Sequence, residues 1–168
     1  MLFLLCVAVL ALITKWLLRK QMTAAEYLEK LEAQDLVQAD HYRAKRAFQI
    51  TSWANEGPHY FIELADGSVL YLNGDKLYDY EPMRDDPELN QARQFPCTEF
   101  TVRKHRTRNF LLELICAGEV LEPEIIHQLQ HRKEYLSLID LKLNSILPNY
   151  TYDQIKAERL RRSKEQNQ

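Results

Sequence analysis

Tyr60-Phe-Ile-Glu-Leu64, Ala65-Asp-Gly-Ser68 and Val69-Leu-Tyr-Leu72 make up the stretch on which the reading of this 168-residue chain turns. Two short runs rich in aromatic and branched residues flank Asp66-Gly67. Such a pair suits a two-residue hairpin turn, because both central residues of that turn take positive φ. The register that follows sets Leu64 opposite Val69 and Ile62 opposite Tyr71. Upstream, Phe48 and Ile50 share one face of a strand beginning at Ala47. Downstream, Asn73-Gly74-Asp75 marks a second turn and Lys76 to Tyr80 a short strand. Residues Glu81 to Pro96, broken by Pro82, Pro87 and Pro96, read as a loop. The runs Cys97 to Arg103 and Phe110 to Cys116 read as a further hairpin across Lys104 to Asn109. The pattern predicts an α+β fold, with a small antiparallel β-barrel or curled sheet of about five or six strands over residues 47–122.

Helices are expected on either side of this sheet. Thr23-Ala-Ala-Glu26 has capping-box spacing and opens a helical stalk over 21–46, bent or divided near Gln34 and Asp35, where the apolar phase is lost. Pro123-Glu-Ile-Ile opens an amphipathic helix over 123–148, with Leu129, Leu136, Ile139, Leu143 and Ile146 on the stripe that packs against the sheet. Thr151-x-x-Gln154, a second capping box, opens a basic C-terminal helix and tail over 149–168.

The first twenty residues differ in kind from the rest. Met1 to Ile13 are uninterruptedly apolar, and as a helix Met1 to Leu18 would reach about 27 Å, close to a hydrocarbon core of roughly 30 Å. No basic residue precedes the run and no small-residue cleavage site follows it, so it reads as a signal anchor rather than a cleaved signal peptide. Lys15, Trp16, Arg19 and Lys20 suit the membrane interface, and their positive charge predicts a single-pass protein with a cytoplasmic body. The formal charge is −2. Setting aside Lys15, Arg19 and Lys20 leaves −5 on the body, which argues against indiscriminate binding to polyanions such as nucleic acid. Near the C-terminus, Arg159, Arg161, Arg162 and Lys164 are expected to contact anionic lipid.

Candidate chemistry is sparse. Gly57, Gly67, Gly74 and Gly118 are too dispersed for a phosphate-binding loop. His127 and His131 stand four apart on the expected helix, but Gln128 occupies the place of a zinc protease's base and no third ligand is evident. No metal site and no cofactor are therefore expected. Cys97 and Cys116, placed on alternate faces of their strands, point to opposite sides of the sheet and cannot form a disulfide, as suits a reducing compartment. Arg103-Lys-His-Arg-Thr-Arg108 is a basic cluster without interleaved aromatics, which gives no nucleic-acid signature.

Leu77-Tyr-Asp-Tyr-Glu-Pro82 followed by Asp85-Asp-Pro-Glu-Leu89 resembles the opening of a Src homology three domain. That resemblance implies a five-stranded barrel and an aromatic groove for proline-rich peptides, with Tyr78 and Tyr80 at the matching positions. It covers about a dozen residues and then departs: no Trp follows Trp53, and Pro148-Asn-Tyr150 lies far beyond the closing motif's spacing. The chain is not assigned to that family.

The function expected from these features is a membrane-anchored, β-rich docking domain for a protein partner. Its surface would comprise Tyr60, Phe61 and Tyr71 of the hairpin and Tyr78, Tyr80, Asp85 and Asp86 of the acidic stretch. The alternatives are a membrane-tethered enzyme using carboxylates between Asp75 and Asp86, and an exported domain with a cleaved leader.

Overall fold

A computed structural model describes residues 22–51, 57–82, 91–127 and 142–166. They fall into two units, the first ending at Leu36 and the second running from Val37 to the C-terminus.

In the first unit, helix α1 (Ala24–Ala33) starts as the capping box requires: the Thr23 amide donates to Glu26 Oε2 at 2.8 Å and the Glu26 amide to Thr23 Oγ1 at 3.2 Å. The Thr23 amide first, and then the Thr23 hydroxyl, hold the Glu26 carboxyl below its ordinary range. The helix stops where its phase fails. Asp35 turns left-handed at φ 54°, with the Leu36 amide on Leu31 O and the Asp35 amide on Glu32 O, which is a Schellman ending made without glycine.

The second unit opens with strand β1 (Val37–Thr51), fifteen residues long, where the end of a helical stalk was expected. Lys45 is the extra residue of a bulge, since Ala44 faces Leu64 while Arg46 faces Glu63. The bulge reverses the pleat. Tyr42, Ala44 and Ala47 therefore join one core cluster, while Phe48 and Ile50 join another. Strands β2 (His59–Leu64) and β3 (Val69–Asn73) form the expected hairpin, but with Phe61 opposite Tyr71 and Ile62 opposite Leu70. The turn is one residue longer than predicted. Ser68 O accepts from the Leu64 amide, Gly67 sits at φ 86°, and the Asp66 carboxylate accepts from the Ser68 amide at 2.9 Å. Lys76 to Tyr80, expected as a strand, form a 3-10 turn (Asp75–Tyr80).

Strands β4 (Glu99–His105) and β5 (Leu111–Cys116) pair as a hairpin. Strand β6 (Glu124–His127) runs parallel to β1, and β7 (Ser145–Leu147) pairs antiparallel with β3. These two strands replace both described ends of the helix expected over 123–148. Residues 128–141, including His131, lie outside the described residues, as does the side chain of His127. The sheet runs β5-β4-β1-β2-β3-β7 with β6 beside β1, and its ends do not meet. The expected closed or curled five- or six-strand barrel is thus corrected to an open, mostly antiparallel sheet of seven strands.

Both faces of the central hairpin are covered. Tyr60, Ile62, Leu70 and Leu72 pack with Leu77, Phe95, Phe100 and Leu114 on one side. Phe61, Val69 and Tyr71 pack with Phe48, Ile126, Tyr152 and Ile155 on the other, under helix α2 (Tyr152–Gln166), which the Thr151 capping box opens as expected.

Among the described residues no helix is long and apolar enough to cross a membrane. The expectation of a single-pass anchored protein with a cytoplasmic body is corrected to that extent: none of the described helices is its anchor. Residues 1–20, with Lys15, Trp16, Arg19 and Lys20, lie outside the described residues.

The cysteine geometry is also corrected. Cys97 precedes β4 in an isolated bridge with Val120, and the Ala117 and Gly118 amides both donate to Glu99 O, so alternation does not carry through from Cys97 to Phe100. Cys97 and Cys116 consequently face one core.

Candidate functional site

The acidic stretch begins on the 3-10 turn, and one buried side chain and two sets of hydrogen bonds hold that turn to the sheet. Leu77 is buried in the core beneath it. The Tyr80 hydroxyl donates to Leu114 O at 2.8 Å and accepts from the Leu114 amide at 3.1 Å, so one phenol occupies both outward backbone groups at the middle of β5. Beyond the turn, Glu81 Oε1 accepts from the Tyr60 hydroxyl and from Gln49 Nε2, the latter at 2.8 Å.

Tyr60 also ties the far end of the loop. Arg93 Nη1 donates to its hydroxyl oxygen at 3.0 Å and to Phe95 O at 3.4 Å, while Gln91 Nε2 donates to Glu81 O at 3.0 Å. The two ends of the loop, at Glu81 and Arg93, therefore meet on one phenolic oxygen. Burial first, then the Glu81 charge and hydrogen bond, push the Tyr60 phenol far above its ordinary range, which keeps it neutral and donating. Phenylalanine at position 60 would take one partner each from the Glu81 carboxylate and the Arg93 guanidinium. A hydrogen bond to a charged group contributes about 1.5–3 kcal/mol, so Tyr60→Phe is expected to lower the unfolding free energy by about 2 kcal/mol in urea titrations. A loss below about 0.5 kcal/mol, within the range of an indifferent substitution, would refute the tie.

The residues expected to form a docking surface divide sharply. Tyr60, Phe61 and Tyr71 are fully buried and serve as core; Tyr80 is half-buried and committed to β5; Asp85 and Asp86 lie outside the described residues. Tyr78 alone among the aromatic residues of that set stands out, 42% exposed. Partial burial and the nearby Glu81 and Asp75 carboxylates raise its phenol above the ordinary value. Asp79 is exposed beside it and pairs with Lys76 at 2.6 Å.

Two further polar clusters escaped the sequence. At one end of β1 the Lys104 ammonium, buried, meets Asp40 at 3.0 Å, and the Gln38 amide donates to both Asp40 oxygens. Burial works to raise the Asp40 carboxyl, but Gln38 and Lys104 outweigh it and hold it low. Under α2, His59 Nδ1 lies 2.8 Å from the Tyr71 hydroxyl and 3.1 Å from Asn73 Nδ2. Here Arg159, expected to face lipid, is 1% exposed, its guanidinium 5.8 Å from the centre of the Phe61 ring. Arg161 and Arg162 pair with Glu158 on the helix surface, and Lys164 is exposed. Neither cluster announces itself in sequence, because each joins residues from strands or helices far apart in the chain.

Among the described residues no group of three His, Cys, Asp or Glu side chains could hold a metal ion. Comparison with models of known protein families, with characterised proteins and with solved structures finds no match.

Proposed function

We propose that this chain is a β-rich protein-interaction domain that presents the Asp75–Tyr80 turn to a basic segment of a partner protein. The observation that carries the reading is Tyr78, an exposed aromatic ring set among Asp75, Asp79 and Glu81 on a turn fixed to the sheet. An aromatic face attracts a cationic side chain, by about 0.5–1 kcal/mol at exposed sites. The carboxylates around it, of which Asp79 pairs with Lys76, add electrostatic steering and select for the sign of the partner. Pre-ordering supports the same reading, since a turn already fastened through Leu77, Tyr80 and Glu81 loses little conformational freedom on binding. So small a surface gives weak, salt-sensitive association.

A fluorescein-labelled hexa-arginine peptide provides a defined probe. Fluorescence anisotropy is expected to show binding that weakens as salt rises, with no binding of a hexa-glutamate control. The double variant Tyr78→Ala/Asp79→Asn is expected to weaken hexa-arginine binding about tenfold, the equivalent of roughly 1.4 kcal/mol. Equal affinity for the variant and the parent chain would overturn the assignment.

A further inference from the structure

The chain has three cysteines. Cys97 and Cys116 are both free, the first buried and the second partly exposed at the end of β5. Their approach depends on a tight crossing of the backbone. A Cβ on Gly118 would fall 2.2 Å from Thr98 Oγ1 and 2.5 Å from the Glu99 amide nitrogen, so only glycine lets the segment after β5 lie this close to the segment before β4. The crossing is held by the Thr98 amide on Glu119 O at 2.8 Å and the Glu119 amide on Thr98 Oγ1 at 2.9 Å. Within it Cys116 packs against the core cluster that holds Cys97, near enough for each thiol to act on the ionisation of the other, and the Cys97 thiol donates to Glu99 O at 3.3 Å.

We propose that Cys97 and Cys116 are a peroxide-oxidisable pair that closes to a reversible intramolecular disulfide. The chemistry balances with hydrogen peroxide as the only oxidant. The Cys97 thiolate attacks one peroxide oxygen, the O–O bond breaks, and the departing hydroxide takes a proton to become water, leaving a sulfenic acid on Cys97. The Cys116 sulfur then attacks the Cys97 sulfur, the S–O bond breaks, and the leaving hydroxide takes the Cys116 proton as a second water. Two thiols are oxidised and one peroxide is reduced. The neighbouring Cys116 thiol, with the amides of Gly118 and Ala117, favours the thiolate and brings the Cys97 thiol down to about 7, whereas the neighbouring Cys97 and then burial raise Cys116. Cys116, packed against the same core, is then placed as the resolving thiol.

The full chain, treated with a few equivalents of hydrogen peroxide, unfolded and alkylated with N-ethylmaleimide, is expected to retain one alkylatable cysteine. Peptide mapping is expected to recover a Cys97–Cys116 link that dithiothreitol reverses. Closing that loop constrains the unfolded chain, so the oxidised protein is expected to melt about 5–10 °C higher than the reduced one. In Cys116→Ser, Cys97 is expected to stop at the sulfenic acid, trapped by dimedone. Mapping of the unaltered protein needs no variant to fold. Three alkylatable thiols after a treatment that oxidises glutathione, or a link that involves Cys6 instead, would overturn the proposal.

Discussion

Phe48→Ala is expected to destabilise the chain by about 3–5 kcal/mol, the range for deleting a buried aromatic ring. Phe48 has no exposed surface; its ring stacks on Phe61 at 4.8 Å and meets Tyr152 edge-on at 5.3 Å. From β1 it touches both the central hairpin and α2, as the Arg46 guanidinium does at the surface through Glu63 and Asp153. The loss therefore combines the transfer of the ring, the void beneath the helix and two aromatic contacts, each of the latter contributing about 0.5–1.5 kcal/mol. Urea unfolding would measure it, with Phe48→Leu as the control that keeps most of the volume. A cost under about 1 kcal/mol for alanine would mean that α2 does not rest on this ring.

Acid is expected to unfold the protein through His59. Burial, then the positive charge of Arg159, bring this imidazole down to about 4 from an ordinary value near 6.5. Between those two values the unfolded chain binds a proton at His59 that the folded chain refuses. Stability is therefore full above about pH 6.5 and falls as the pH drops toward 4, by about 3 kcal/mol across the window at 1.36 kcal/mol per unit. Comparing urea midpoints from pH 8 to pH 4.5 for the parent chain and His59→Gln isolates this term. The parent is expected to lose stability more steeply in that interval, and parallel slopes would contradict a histidine held neutral.

The hairpin, both helix caps and the two-period organisation of the chain were legible, because each depends on residues within a few positions of one another. What escaped was non-local. The inner face of β1 before its bulge carries Gln38 and Asp40, polar residues whose burial makes sense only once Lys104 arrives from β4. At Lys45 the pleat reverses, so neither alternation nor helical period reads through the strand. The hairpin register slipped by one because both of its faces are apolar, and a pattern that is apolar on both sides does not say which residue faces which. Pro123 opens a strand rather than a helix because β1 offers Phe48 to Thr51 as a parallel partner. The same limit hid the site: Tyr60 and the acidic stretch were both conspicuous, but nothing local showed that Tyr60 fastens the stretch from beneath while Tyr78 faces out.

The Tyr80 hydroxyl has a bearing on how copies of this chain treat one another. A terminal strand grows by recruiting another strand through its outward amides and carbonyls, taken at alternate residues. On β5, Leu112 is the surplus residue of a bulge and the amide and carbonyl of Leu114 are already spent on Tyr80, which leaves no run of alternate sites to propagate from. The phenol acts as a one-residue substitute for a neighbouring strand, and this end of the sheet is closed to polymer growth without a strand having been added.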